Sequence, residues 1–143
     1  MIKEIELDVW QTSVVFIVEP TLKEFDMFYY DNTKRLSDAD YKQMRRDIAS
    51  PQTCEGFTFV TDDGGIIVYL REAFRFLYSI HELEHAINKI LMMRGVNHDA
   101  DAEPWAYTIG YLAEEYYKWI CTEKDVFAFV PRKFIKEKYL KDL

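Results

Sequence analysis

The chain has 143 residues, a length that suits one domain, 1–143, with a single buried core. Apolar residues make up 49% of it and aromatics 16%, which excludes an intrinsically disordered chain. The net charge of −7 argues against nonspecific nucleic-acid binding, so no nucleic-acid partner is expected.

Residues 12–19 read as a strand. The run Val14-Val15-Phe16-Ile17-Val18 is apolar, too short to cross a membrane, and ends at Pro20. No signal peptide or membrane span is visible, so the expected location is cytoplasmic, with no membrane partner. Thr21 can cap a helix to about Tyr30, and Ser37 or Asp38 a second to about Ala49, which Pro51 breaks. Phe57-Thr58-Phe59-Val60 and Ile66-Ile67-Val68-Tyr69-Leu70 flank Asp62-Asp63-Gly64-Gly65, a strong hairpin pattern. A third helix carries Ile80, Leu83, Ile87 and Ile90 at helical spacing and stops at Arg94-Gly95-Val96-Asn97. A fourth opens at Asp101, tolerates Pro104 in its first turn, and runs through Ile109, Leu112, Tyr116 and Ile120. The short connection predicts antiparallel neighbours, and Gly110 would allow close helix approach. Residues 132–141 alternate Arg132, Lys133, Lys136, Lys138 and Lys141 with Phe134, Ile135, Tyr139 and Leu140, the pattern of an amphipathic closing helix. Cys54 and Cys121 form neither a metal-binding spacing nor a disulfide framework and read as reduced thiols.

Chemistry concentrates in His81-Glu82-Leu83-Glu84-His85, an H-E-x-x-H motif inside the third helix. Residues four apart lie one above the other on a helix, so both imidazoles can reach one metal ion. They fall roughly opposite the apolar stripe, although Phe74, Leu77 and Tyr78 add apolar surface nearer to them. Glu82 follows the first ligand and is placed to act as general base rather than as ligand. A catalytic zinc needs a third protein ligand and one open position. Glu103, at the start of the fourth helix, is the best candidate; His98, Asp99 and Asp101 compete with it. Glu84 reads as a solvated helix residue. Tyr107, Tyr111 or His98 could donate to an oxyanion, but the spacing of Tyr107 and Tyr111 with Trp105 favours core packing for both tyrosines.

The motif helix, followed by a Glu at the start of the next helix, resembles the gluzincin branch of the zincin metallopeptidases. More narrowly, His81-Glu82-x-x-His85-Ala86, Ile90-Leu91, Arg94-Gly95-Val96 and Asp101-x-Glu103-Pro104-Trp105-Ala106-Tyr107 are similar to small phage-encoded proteins described as metallopeptidases. The resemblance covers mainly residues 74–120. It implies an α+β, zincin-like fold: a small, mostly antiparallel sheet with a hairpin, packed on the motif helix and the antiparallel helix after it. It implies zinc held by His81, His85 and Glu103, with Glu82 as general base. Glu103 follows His85 sooner than in the large gluzincins. Where those have an Asp or Ser supporting the ligand Glu, Tyr107 stands one turn away.

Three functions follow. The first is a zinc-dependent metalloendopeptidase, phage-encoded, acting on a peptide or protein substrate in the host cytoplasm; the metal would polarise the scissile carbonyl and lower the pKa of its water, and Glu82 would relay the proton. The second is an inactive zincin-fold structural or host-interaction protein of a phage, with association to the virion. The third is a di-iron carboxylate protein, since Glu82-x-x-His85 is also a Glu-x-x-His motif; those sites need two such motifs, and the chain has one. Oligomeric state has no signature in the sequence.

Overall fold

The computed structural model describes residues 1–32, 35–50, 54–97 and 102–125. Strand β1 (Ile2–Leu7) passes through a 3-10 turn, Asp8–Trp10, and Gln11 in the left-handed region (φ 48°) into β2 (Thr12–Val18). Helices α1 (Leu22–Asp31) and α2 (Asp38–Ala49) follow, then strands β3 (Gly56–Val60) and β4 (Ile66–Leu70), then helices α3 (Phe76–Met93) and α4 (Ala102–Lys124). The strands form one mixed sheet in the order β1-β2-β4-β3. The β1–β2 and β3–β4 pairs are antiparallel, and the central β2–β4 pair is parallel, with Phe16 opposite Val68. The α+β class expected from the sequence is present, and the sheet is mostly antiparallel by pairing.

The local signals act as their chemistry dictates. Thr21 and Glu24 form a reciprocal capping box on α1, satisfying two backbone donors that the helix leaves open. The Ser37 hydroxyl accepts from the Asp40 N–H at the start of α2. Gly95 (φ 69°) follows α3; its N–H donates to the Met92 carbonyl and that of Val96 to the Leu91 carbonyl, a Schellman closure that needs the left-handed glycine. In the hairpin, Gly64 (φ 82°) turns the chain while its N–H donates to the Thr61 carbonyl. Strand β1 escaped the sequence reading because three of its six residues are charged and only Ile5 and Leu7 are buried.

Val14 to Val18 and Ile66 to Leu70 are buried at every position, as central strands covered on both faces must be. On one face Val15, Ile17, Ile67 and Tyr69 join Phe25 of α1, Met44 of α2 and Leu36 in one core. Tyr29 and Tyr41 stack there, with ring centroids 3.9 Å apart. At that core's margin, Arg45 and the Tyr41 hydroxyl bond to Asp26 and hold its carboxyl below the usual range. The other face, by alternation Val14, Phe16, Val18, Ile66, Val68 and Leu70, receives α3, which packs on β3 and β4. The buried stripe of α3 is Ser79, Glu82, Leu83, Ala86, Ile87, Ile90 and Leu91. Ile80, expected in that stripe, is 45% exposed, because Ser79 takes the inward position and Ile80 sits about 100° further round.

The chain divides into two units, residues 1–113 and 114–143. In the first, the Trp10 indole N–H donates to the Thr108 hydroxyl (2.8 Å), which donates to the Pro104 carbonyl (2.7 Å) and so ties the turn after β1 to α4. An added Cβ on Gly110 would meet nothing within 4 Å, so the expected close helix approach is not made there. In the second unit the structure describes residues 114–125, where the buried Tyr116 ring meets Tyr117 and Trp119 edge-on. Among the described residues no helix is long and apolar enough to cross a membrane. The basic run 132–141 lies outside them.

Candidate metal centre

Helix α3 has no side-chain cap at its start, and the burial of its inward stripe on the sheet sets its rotation. That rotation turns His81 and His85 outward, and both are exposed. Their Nε2 atoms lie 2.9 Å apart, with ring planes at 83° and centroids 4.4 Å apart. One Nε2–H donates to the other Nε2, so at least one imidazole offers a lone pair toward its neighbour. Two zinc–nitrogen bonds meeting at a tetrahedral angle place the nitrogens roughly 3.3 Å apart. The observed separation is within a few tenths of an ångström of that, so the pair fits a single zinc ion with a small opening of the rings.

Glu82 points elsewhere. It is 5% exposed, and its Oε2 accepts from the Thr58 hydroxyl at 2.6 Å. The same hydroxyl lies 3.1 Å from the Glu82 carbonyl oxygen. A threonine has a single hydroxyl proton, and the shorter contact, to the carboxyl oxygen, is the one it makes. Thr58 faces α3 because its neighbours Phe57 and Phe59 pack into the opposite core and side chains alternate along a strand. The helix also comes down closely on this strand: a Cβ added to Gly56 would stand 3.1 Å from Glu82 Cγ and 3.0 Å from the Tyr69 carbonyl oxygen. Thr58 and Gly56 were missed as functional candidates. The signal for Thr58 was the Phe57-Thr58-Phe59 alternation, which places one polar residue on the α3 face. Strand β3 is an edge of the sheet, so Glu82 is buttressed by an edge strand.

Glu103 is exposed in the first turn of α4. Among the described residues no three His, Cys, Asp or Glu side chains gather to hold a metal ion, so the structure brings His81 and His85 together but does not bring Glu103 to them. His98, Asp99 and Asp101 lie outside the described residues. Glu84 is exposed, as expected of a solvated residue; of the apolar residues near the histidines Leu77 is exposed, while Phe74 and Tyr78 are half-buried. The expectation that Tyr107 and Tyr111 pack in a core is corrected: they are 76% and 49% exposed. The buried positions of this helix are Thr108, Leu112, Tyr116, Trp119 and Ile120, spaced mostly by four, which places Tyr107 and Tyr111 about 100° off that stripe. Cys54 and Cys121 are free thiols. Burial pushes the Cys54 thiol up, and it donates weakly to the Gly56 carbonyl (3.7 Å), which makes it a poor source of thiolate.

In comparison with known proteins, the chain matches no family model, no curated protein and no solved structure.

Proposed function

We propose that this chain is a zinc-dependent metallopeptidase of zincin type, in which His81 and His85 hold the metal and Glu82 is the general base. The observation that carries the reading is the pairing of two features one residue apart. Two imidazoles converge at 2.9 Å on the open side of α3, while the carboxylate between them is buried and braced by Thr58. Packing has no need of a carboxylate at Glu82. Burying one costs free energy even when it is hydrogen-bonded, and an apolar residue would fit the same stripe.

Zinc bound at the histidines would supply a water acidic enough to ionise near neutral pH and a Lewis acid for the scissile carbonyl. The protein's own groups do the rest. Thr58 holds Glu82 Oε2, which leaves Oε1 to take a proton and return it to the leaving amine. Strand β3, an edge of the sheet among the described residues, would offer backbone donors and acceptors to an extended peptide. Glu103 is proposed as the third ligand, recruited when the metal binds. A phage-encoded enzyme working on a peptide or protein in the host cytoplasm fits the proteins that the motif resembles. A second reading has one observation in its favour, the absence of a gathered third ligand among the described residues: a zincin-shaped structural or host-interaction protein in which metal serves stability alone.

The test is hydrolysis of a mixed peptide substrate by zinc-supplied wild type and by Glu82→Gln. The expected outcome is turnover by wild type and a loss of about 100-fold or more in the variant, with zinc content unchanged. Zinc-loaded wild type without turnover would support the second reading. Equal rates in both proteins would remove Glu82 from the chemistry.

A further inference from the structure

A groove of about 590 Å³ lies between the turn that follows β1 and the first turns of α4. Trp10, Pro104, Tyr107 and Tyr111 line it, with Glu6 and Asp8 on the β1 side, and no lysine or arginine lines it among the described residues. Its wall is built rather than incidental. The Trp10–Thr108–Pro104 hydrogen bonds fix the indole against α4, and this same helix turns two tyrosines, one turn apart, away from its buried stripe. Val9, at 87% exposed, extends the apolar surface. A contiguous exposed apolar patch of this kind marks an interaction site more often than chance exposure does.

We propose that this groove binds a short peptide segment in which a lysine or arginine adjoins apolar side chains. The volume suits a few side chains. Tyrosine faces attract a cation, and Glu6 and Asp8, both exposed, add acidic side chains beside them. The same charges repel phosphate, nucleic acid and anionic lipid. No residue of α3, and so neither histidine of the metal reading, lines it, although Pro104 adjoins the proposed ligand Glu103.

The probe is a short fluorescent peptide of lysine, leucine and proline, titrated into the full chain and followed by anisotropy, beside a counterpart with glutamate for lysine. The expected result is saturable binding of the basic peptide, about tenfold or more tighter than the acidic one and weakened by salt. Asp8→Lys, and separately the pair Tyr107→Ala with Tyr111→Ala, should each weaken it by about tenfold, with unfolding midpoints unchanged. All these substitutions are at exposed positions, and circular dichroism verifies folding. The proposal is overturned by absence of saturable binding, by equal affinity for the two peptides, or by binding that neither variant alters. It is overturned equally if the groove is closed by a second copy of the chain, seen as a dimer that the double tyrosine variant dissociates. Turnover plays no part in the readout, so failure here leaves the metallopeptidase reading standing, and the reverse.

Discussion

The two faces of the sheet are built to different standards. Under α1 and α2 the face is apolar and aromatic: Phe25, Leu36 and Met44 close over Val15, Ile17, Ile67 and Tyr69, and the charged groups nearby, such as Asp26 with Arg45, stay at the margin. Under α3 the same sheet meets a buried carboxylate of that helix, Glu82, held by one threonine and admitted by one glycine. The first face is arranged for stability. The second keeps a group that stability alone would replace, on the same helix that turns two converging imidazoles outward. That difference argues that the α3 face serves chemistry.

The largest effect that would sharpen this contrast is in the apolar core. Phe25→Ala should cost about 3–5 kcal/mol in chemical denaturation, since it deletes a fully buried ring. It should leave zinc affinity untouched in whatever fraction stays folded. Thr58→Val should cost less, about 1–3 kcal/mol, because it strips the Glu82 carboxylate of its donor. Unlike Phe25→Ala, it should also slow peptide hydrolysis. If Thr58→Val proves neutral both to unfolding and to turnover, Glu82 is not braced as described and the contrast between the faces weakens. The smallest effect is at the margin of the apolar face. The Asp26 carboxyl is held below its ordinary 3.8 by Arg45 and then Tyr41, so it adds stability above that pH which disappears as pH falls through its lower folded value. Acid unfolding of Asp26→Asn should therefore lack the part of the wild-type loss that falls below pH 3.8, and the two proteins should differ above that pH by a constant amount.

Much of this was legible in the residues. The central strands, the hairpin, both early helices and their caps follow from Val14 to Val18, from Asp62 to Gly65, and from Thr21 and Ser37, because each signal is local. The outward pair His81 and His85 follows from helical spacing alone. What could not be read is what depends on distant partners. Thr58 becomes the support of Glu82 only when β3 lies beneath α3, 24 residues on. Tyr107 and Tyr111 share their helix with the buried Thr108 and Leu112, and periodicity did not say which set faced inward. Ile80 missed the core by one position for the same reason. Glu103 was chosen by resemblance, and the described residues do not gather it with the histidines.

The most direct measurement is the zinc content of the purified chain, for wild type, His81→Ala, His85→Ala and Glu103→Ala. The account predicts about one zinc per wild-type chain, as three protein ligands would hold, with loss in both histidine variants and weakened retention in Glu103→Ala. Wild type that takes up no zinc even when it is supplied would contradict the metal centre, and with it the proposed chemistry. Zinc that persists in Glu103→Ala but not in His85→Ala would keep the centre and move its third ligand to His98 or Asp101.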